Sequence, residues 1–535
     1  MQPRANLPED SFSDACFNTI NAWIKECSLG HRLCTIDKRP PFLPTRLVDV
    51  SPESCPSGMR LVHTVDFLDR AAKYAALSHA WGLKEQRIKP IPKTRADSLL
   101  DRLDQIPWEE LTKTFQDAIV VARRLGLRYI WIDALCIIQD DAADFATQAS
   151  QMAQIYGRAH VVISATRAAT GDVGIFHRRP GAQTVSCTDK EDKRLTAFVK
   201  QRLVHDDFIT GEPRDFGTSP LFARAWCFQE RLLATRVVHF SQHEIVWECN
   251  QELWCECGGI RPDSTTETGS NFKGRQALAM RKSSLSVRHR TWYDILRVYT
   301  ARSLTVESDR LPALSGFAHQ IATPAMGRYC AGVWEEDLPA SLLWRPLRAL
   351  PEKQGRVERP DTCSAPTWAW PSVQAVIESY VRYIKDKNSE VVAQVLEVKC
   401  QPATADPFGQ VAGGHIILDA PAVTAMLRRD EAQTSDERQY MLTDVNDQHD
   451  CLPFPADVSL AAKCPDHVPL GSQVLCLIIE RFHNHVNANR AACLVLRQGQ
   501  GQAGDLQVGI WYRIGTVNCP AHWVNKGQRR VVKIL

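Results

Sequence analysis

The sequence predicts an α/β domain built on an open parallel sheet, followed by a helical segment and a C-terminal antiparallel β domain. Buried strands alternate with amphipathic helices between residues 74 and 166, at the spacing of βαβ units. From about residue 365, short apolar segments are separated by Gly, Pro and Asn-Asp, which indicates antiparallel strands. The expected regions are a helical lead-in at 1–73, the α/β domain at 74–260 with an excursion at 167–218, a mainly helical segment at 261–350 and a β-rich domain at 360–535.

Hydrophobic periodicity gives the elements up to residue 166. Apolar residues recur at helical spacing over 11–27, and KRPPFLPTRLVDV (38–50) then ends the helix and leads into a strand at 46–50. The unbroken apolar stretch before Gly82 predicts a buried strand at 73–82. The elements that follow are a helix at 112–125, a strand at 128–138, a helix from Asp141 or Asp144 to about 159, and a strand at 160–166.

Later segments have weaker patterns. Residues 167–218 are rich in Gly, Asp and Thr, and 220–240 is predicted to form a helix and then a strand. A loop is expected at 261–287, and helices at 289–345.

Charge and composition exclude several function classes. The net charge is +3 and no long block of Lys or Arg occurs, so we expect neither nucleic-acid binding nor attraction to an anionic membrane. The first residues are polar and acidic, and no apolar run approaches the roughly 18 residues of a spanning helix. Eighteen cysteines then indicate reduced thiols, and we expect a cytoplasmic protein.

Polar residues at the ends of the predicted parallel strands are the first site candidates. Open α/β sheets place their ligand crevice at the carboxyl ends of the strands, where Asp133 lies. Asp133 and His79 are candidate catalytic residues, and a structural role for Asp133 is equally compatible with its position. The candidate ligand-binding residues in these segments are Ser78, Trp81, Gln139 and Asp140.

Cys136 has two interpretations. It is a candidate catalytic nucleophile if His79 acts as its base and Asp133 orients that base. A thiol in an apolar strand is more often a small buried residue, and the sequence favours that alternative.

The segment 224–230 carries four further candidates. Glu230 is a candidate catalytic residue, and Arg224, Trp226 and Gln229 are candidate ligand-binding residues. Arg224 either pairs with Asp133 or Asp140 or binds a substrate phosphate, and we favour the structural pair.

Two groups of residues have metal-ligating side chains. Cys27, His31 and Cys34, with Cys16 as a fourth group, are suited to zinc, but their spacing is not that of a standard finger. Cys249, Cys255 and Cys257 form the second group of side chains that could bind a metal. Because Cys16 and Cys27 already lie on an apolar helical face, we expect no metal site.

Three motifs occur in an order typical of a known family. They are ALSHAWG (76–82), YIWIDALCIIQDD (129–141) with the helix after it, and RAWCFQERLLATRVVHF (224–240). The chain therefore resembles the fungal heterokaryon incompatibility (HET) domain proteins, and weaker similarities extend outward over most of it. The resemblance implies a fold similar to the TIR (Toll/interleukin-1 receptor) domain and a role in non-self recognition and programmed cell death.

The resemblance leaves the molecular activity open. Some TIR domains cleave NAD with a helical glutamate, so NAD is the cofactor or substrate that fold analogy suggests. The family usually has a glutamate where this chain has Gln148, on the buried helix face, and an amide cannot serve as base or nucleophile. Any NAD cleavage would then be weak and would use Glu230 or Asp133.

Three functions remain open. They are an incompatibility effector acting through self-association of the HET domain and protein partners, an NAD-consuming enzyme, and a metabolite-tailoring role in fungal secondary metabolism.

Overall fold

The computed structural model divides into two compact units, residues 1–282 and 283–535. The described residues are 7–35, 41–53, 58–179, 183–188, 194–199, 203, 205–212, 217–260, 271–281, 284–350, 357–360, 365–379, 389–429, 438–447, 449–462, 464–482, 490–499 and 509–535. Within these ranges we find no helix with the length and apolar character needed to cross a bilayer.

The first unit combines one large sheet with helices. Its described strands are β1 (Arg46–Asp49), β2 (Arg60–His63), β3 (Tyr74–Ser78), β4 (Tyr129–Trp131), β5 (Val161–Ser164), β6 (Gln183–Thr188), β7 (Arg194–Val199), β8 (Arg236–Phe240), β9 (Ile245–Cys249) and β10 (Leu253–Cys255). Its described helices are α1 (Asp14–Gly30), α2 (Leu99–Asp104), α3 (Lys113–Arg124), α4 (Asp133–Cys136), α5 (Ala142–Arg158), α6 (Asp206–Ile209), α7 (Ala225–Leu233) and α8 (Phe272–Arg281).

The centre of the first sheet is parallel, as the sequence predicts. Strand β3 lies between β4 and β5 and pairs in parallel with both, and β5 pairs in parallel with β8. All five residues of β3 are buried, because a strand inside an α/β sheet is covered on both faces. The predicted neighbouring parallel strands are therefore confirmed.

Antiparallel hairpins extend the sheet at both edges. The order among the described strands is β10-β9-β8-β5-β3-β4-β1-β2. The hairpin β1–β2 comes from the segment predicted as a helical lead-in, and all four residues of β1 are buried because β1 lies between β2 and β4. The hairpin β9–β10 continues the sheet beyond β8.

Two local predictions are corrected. The strand predicted at 128–138 ends at Trp131, because Asp133 starts helix α4 and its Oδ1 accepts a hydrogen bond from the Ala134 N–H at 2.7 Å. The loop predicted at 261–287 contains helix α8. Helix α5 begins at Ala142, and of the two predicted caps it is Asp141 whose side chain accepts from the backbone N–H groups of Ala143 and Asp144.

The second unit is mostly antiparallel β structure, as predicted for the C-terminal region. Its described helices are α9 (Leu285–Tyr299), α10 (Pro312–Ile321) and α11 (Ala521–Val524). Its described strands are β11 (Tyr329–Cys330), β12 (Val333–Trp334), β13 (Trp344–Ala349), β14 (Ala375–Ser379), β15 (Ser389–Val391), β16 (Gln394–Pro402), β17 (Val411–Arg429), β18 (Gln439–Asp444), β19 (Cys451–Pro455), β20 (Gln473–Phe482), β21 (Arg490–Gln498), β22 (Ile510–Cys519) and β23 (Gln528–Ile534). The long strand β17 pairs with β16, β18, β20 and β23, and so joins the parts of the main sheet.

Candidate functional site

Polar side chains meet at the carboxyl ends of β3 and β4. Residues Ser78 and His79 end one strand, Asp133 follows the other, and helix α7 brings in Glu230. Because the two strands are parallel neighbours, their carboxyl ends lie at the same edge of the sheet. We call the following residues the edge cluster: Ser78, His79, Trp81, Asp133, Arg224 and Glu230.

Asp133 is the most connected member of the edge cluster. Its Oδ2 accepts a hydrogen bond from Trp81 Nε1 at 3.0 Å, and its Oδ1 lies 3.6 Å from His79 Nε2. Its side chain is 27% exposed, whereas that of His79 is 2% exposed. Asp133 is therefore the carboxylate of this group that a ligand in solvent can reach.

His79 lies behind Asp133 and is almost fully buried. Burial lowers the pKa of His79 below its ordinary value, although the Asp133 carboxylate opposes this shift. The ring lies edge-on to Phe115 with 4.9 Å between centroids. Its buried Nε2 has no partner at hydrogen-bond distance among the described residues. An unsatisfied buried nitrogen beside a carboxylate is typical of a site that completes its bonding with water or a ligand.

Glu230 is a buried carboxylic acid with a pKa near neutrality. Burial raises the pKa of Glu230 to about 7, a hydrogen bond from Ser78 counteracts this, and the nearby charge of Asp133 adds to the rise. Its Oε2 is buried without a hydrogen-bond partner in the described part of the chain. Tyr156 of α5 lies beside it, with its hydroxyl donating to the Leu77 carbonyl at 3.1 Å.

Cations surround the exposed side of Trp81. Lys93 Nζ lies 4.4 Å from the centroid of the Trp81 ring, and burial, with the charge of Arg87, lowers the pKa of Lys93. Arg87 Nε donates to the Trp81 carbonyl at 2.8 Å. Arg224 acts electrostatically on both His79 and Glu230. The accessible acid thus lies among positive charges, next to an aromatic ring.

This arrangement can support acid–base chemistry on a polar ligand. Asp133 and Glu230 are carboxyl groups in different environments, one half-buried and one buried, and such pairs often divide the acid and base roles. The indole of Trp81 offers a surface for stacking, and Lys93 and Arg224 offer positive charge for an anionic group.

Several predicted candidates lie outside the edge cluster. Cys136 is fully buried, its carbonyl accepts from Arg46 Nε at 2.8 Å, and burial raises the pKa of its thiol to about 12. These facts favour the structural interpretation of Cys136. Asp140 is exposed and its Oδ1 accepts from the Ala96 N–H at 2.9 Å, while Gln139 Nε2 donates to the backbone carbonyl of Asp133 at 3.1 Å.

The two other candidates of helix α7 differ in burial. Gln229 is 2% exposed, and Trp226 is half-buried against the core of the first unit.

Gln148 lies on the buried face of α5, as predicted. It is 1% exposed, and its Nε2 donates to Thr45 Oγ1 at 3.0 Å, on the approach to β1. The groups that act on Glu230 are Ser78, Asp133, Arg224 and, from the same helix α5, Tyr156.

Sequence reasoning missed two groups of residues. Tyr156, Lys93 and Arg87 border the edge cluster. Tyr156 lies in the helix after the second motif, where only helix phase could have indicated it, and Lys93 and Arg87 lie outside the motifs. Two compact groups of metal-ligating side chains also form. They are Cys27 with His31, Cys34 and Cys249, and His205 with Glu244, Cys255 and Cys257. The expected fourth group Cys16 is replaced by Cys249, because the Cys16 thiol faces the Asp10 carbonyl at the other end of α1.

The turn after Trp81 gives a first test of this geometry. Replacing Gly82 with alanine should lower the free energy of unfolding by about 2–3 kcal/mol. Gly82 has a φ of +71°, and a Cβ there would lie 2.6 Å from Thr170 Cγ2. Gly126 is a matched control, since its φ is +69° and a Cβ would meet nothing within 4 Å. The alanine variant at Gly126 should lose about 1 kcal/mol. Equal losses in urea denaturation would contradict the steric explanation.

Comparison with known proteins gives one match. The family model described as Heterokaryon incompatibility protein (HET) matches residues 74–230, from the first residue of β3 to Glu230. No curated protein and no solved structure matches the chain. The match indicates a heterokaryon-incompatibility type of role at the level of the family.

Proposed function

We propose that this chain, whose residues 74–230 are a HET domain, acts as an effector of non-self recognition and cell death through a small-molecule site at the edge cluster. The proposal includes a relationship of the domain to the TIR fold. It is supported by the family match and by the placement of two carboxyl groups at the edge where parallel sheets bind ligands.

The main observation behind the proposed small-molecule site is the environment of Asp133. This carboxylate is partly exposed, is oriented by Trp81 Nε1, and is backed by His79 and Glu230. Among the described residues, His79 Nε2 and Glu230 Oε2 are buried without a hydrogen-bond partner. An aromatic surface beside cations suits a ligand with a flat ring and phosphate groups. A nicotinamide dinucleotide has both.

Hydrolysis of NAD is the reaction we assign to this site. The bond between ribose C1′ and the nicotinamide nitrogen breaks, and its electron pair leaves with nicotinamide. Water forms the new bond to C1′, and its proton passes to a carboxylate. Asp133 is the group that can stabilise the positive charge developing at C1′, while Glu230 and His79 set the charge behind it.

The test is to incubate the purified protein with NAD and measure nicotinamide release. Asp133→Asn should reduce the rate at least 100-fold, as removal of a general base or charge-stabilising group typically does. Asp140→Asn is the matched control, because this exposed carboxylate is not a member of the edge cluster and its Oδ1 accepts from the Ala96 N–H, so the change should leave the rate unchanged. Melting of each variant separates loss of chemistry from loss of fold.

A result without nicotinamide release from the folded parent would overturn the NAD assignment. The effector role is tested separately, by inducing the parent and Asp133→Asn chains in hyphae of a filamentous fungus. Growth arrest by the parent alone supports an effector that uses the edge cluster. Arrest by neither chain overturns the effector role.

A metabolite-tailoring role is the second candidate, and Gln148 favours it. The family's usual glutamate is absent here, and the amide of Gln148 bonds to Thr45. The absence of this glutamate therefore favours chemistry on another substrate over hydrolysis that depends on a glutamate at this position. Incubation with a cell metabolite extract, followed by mass spectrometry, should then reveal a consumed compound other than NAD.

A further inference from the structure

A buried group of three thiols and one imidazole joins helix α1 to the hairpin β9–β10. The ligand atoms of Cys27, His31, Cys34 and Cys249 all lie within 4.8 Å of one another. His31 Nδ1 lies 3.3 Å from Cys249 Sγ. Atoms that bind one tetrahedral zinc ion lie about 2.0–2.3 Å from it and therefore about 3.3–3.8 Å apart. We call these four residues the helix site.

The helix site has the surroundings of a thiolate centre. Cys27, Cys34 and Cys249 are 0–1% exposed, and His31 is 8% exposed. Arg236 Nε donates to Cys27 Sγ at 3.3 Å, and the Glu252 N–H points at Cys249 Sγ at 3.2 Å. Hydrogen bonds of this kind orient metal-bound thiolates and offset their negative charge.

A second group forms at the opposite end of the same hairpin. His205, Glu244, Cys255 and Cys257 are all buried, with ligand atoms within 4.8 Å of one another. Cys257 Sγ lies 3.5 Å from Cys255 Sγ and 3.6 Å from His205 Nε2. We call these four residues the loop site.

The loop that closes this second group points its N–H groups at the sulfur atoms. Gly259 N–H donates to Cys257 Sγ and Ile260 N–H donates to Cys255 Sγ, both at 3.3 Å. Glu244 is held by the Cys257 N–H at 2.8 Å. His205 Nε2 and Glu244 Oε1 share a hydrogen bond of 2.6 Å, so a bound cation would replace the proton between them.

Buried cysteines also cluster elsewhere as ordinary packing residues, which supplies a comparison. Cys476, Cys493 and Cys519 lie together inside the β sheet of the second unit. No histidine or carboxylate completes a four-group metal arrangement there among the described residues. The helix and loop sites differ from this cluster in having four donors of mixed type within reach of one ion.

We propose that the helix site and the loop site each bind one Zn²⁺, and that the two ions fasten the two ends of the hairpin β9–β10. The helix site offers three sulfur donors and one imidazole, and the loop site offers two sulfur donors, one imidazole and one carboxylate. Sets of four donors dominated by sulfur and imidazole select zinc over the oxygen-preferring cations Mg²⁺ and Ca²⁺. Cys249 ends β9, whereas Glu244 precedes β9 and Cys255 ends β10. The ions would hold the hairpin to α1 on one side and to the segment at His205 on the other. This proposal replaces the expectation that the chain has no metal site.

The first experiment is metal analysis of the full chain purified without chelator and dialysed against a trace of zinc. We expect two zinc ions per chain in the parent, one in Cys249→Ser and one in Cys257→Ser. Cys493→Ser is the matched control, because it removes a buried thiol outside both sites and should retain two. Two ions in all four proteins, or none in the parent, would overturn the proposal. If only one of these two site variants loses a zinc ion, the result supports the site changed in that variant and overturns the other site.

A second measurement does not depend on folded variants. The parent is alkylated at its thiols before and after treatment with a zinc chelator, and the modified peptides are identified. Chelation should expose Cys27, Cys34, Cys249, Cys255 and Cys257 together with a lower melting temperature, and leave Cys493 protected. Replacement of zinc by Co²⁺ should give the visible absorption of tetrahedral cobalt thiolate. Unchanged protection and melting after chelation would show adventitious zinc only and contradict the proposal.

Discussion

Replacing Arg231 with methionine should lower the free energy of unfolding of the first unit by about 3–5 kcal/mol, the loss typical of removing one partner from a buried ion pair. Arg231 Nε donates to Glu248 Oε2 at 2.7 Å, and its Nη2 donates to Oε1 at 2.9 Å. The side chain of Glu248 is 0% exposed and that of Arg231 is 6% exposed. Methionine has a similar length but leaves the carboxylate without its charged partner.

The neighbouring histidine cannot take over the role of Arg231. Burial raises the pKa of Glu248, but Arg231 and His239 outweigh this and hold the pKa below its ordinary value. Burial lowers the pKa of His239 to about 4, so its ring is neutral at pH 7. Buried Lys273 still acts electrostatically on the Glu248 carboxylate of the variant, but that carboxylate loses both hydrogen bonds from Arg231. It must therefore remain a poorly compensated charge or take up a proton, and both cost stability.

Two controls make this expectation specific to the buried pair. Arg178→Met removes the partner of Glu9 from a pair whose side chains are 84% and 57% exposed, and it should cost less than about 1 kcal/mol. The double variant Arg231→Met with Glu248→Leu removes both charges and should recover part of the loss. Urea denaturation measures all four chains. Equal losses of unfolding free energy in the Arg231 and Arg178 variants would show that the buried ion pair contributes no more to stability than the exposed one.

The sequence predicts the parts of the fold that depend on local pattern. The unbroken apolar character of β3 and β5 indicates central strands, and the chain spacing between them implies the parallel pairing that is found. Ser78, His79 and Asp133 are recognisable as site candidates because they end two such strands. The hairpin β1–β2 is less predictable, since its burial depends on pairing with β4.

Residues whose role depends on tertiary contacts escape sequence reasoning. Cys249 follows Cys34 at a long separation, and only the position of β9 brings their thiols together. Tyr156 lies beside Glu230 because α5 packs against α7, with the Thr235 hydroxyl donating to the Gly157 carbonyl at 3.1 Å. Asp140 is an example of a residue that the motif indicates but the structure leaves out of the edge cluster, and its Oδ1 accepts from the Ala96 N–H.

The second large effect concerns Glu230 and depends on pH. The pKa of Glu230 is raised from 4.5 to about 7, so the folded protein keeps a proton that the unfolded chain has already lost. Stability from this group is complete below pH 4.5 and declines as the pH rises through about 7. A rise of this size corresponds to roughly 3 kcal/mol, at 1.36 kcal/mol for each pH unit.

Glu230→Gln should therefore stabilise the protein at alkaline pH. The amide is neutral at every pH and can still accept the hydrogen bond from Ser78. At pH 4.5 the variant and the parent should unfold at nearly equal urea concentrations, and at pH 8 the variant should be more stable by roughly 3 kcal/mol. Glu110→Gln, at a carboxylate that is 50% exposed and paired with Arg102, should change stability by less than about 1 kcal/mol at both values. A variant at Glu230 that is less stable than the parent at pH 8 would show that the ionised carboxylate is instead held by favourable contacts. The acid would then be unsuited to the proton-holding role that we assign to it behind Asp133.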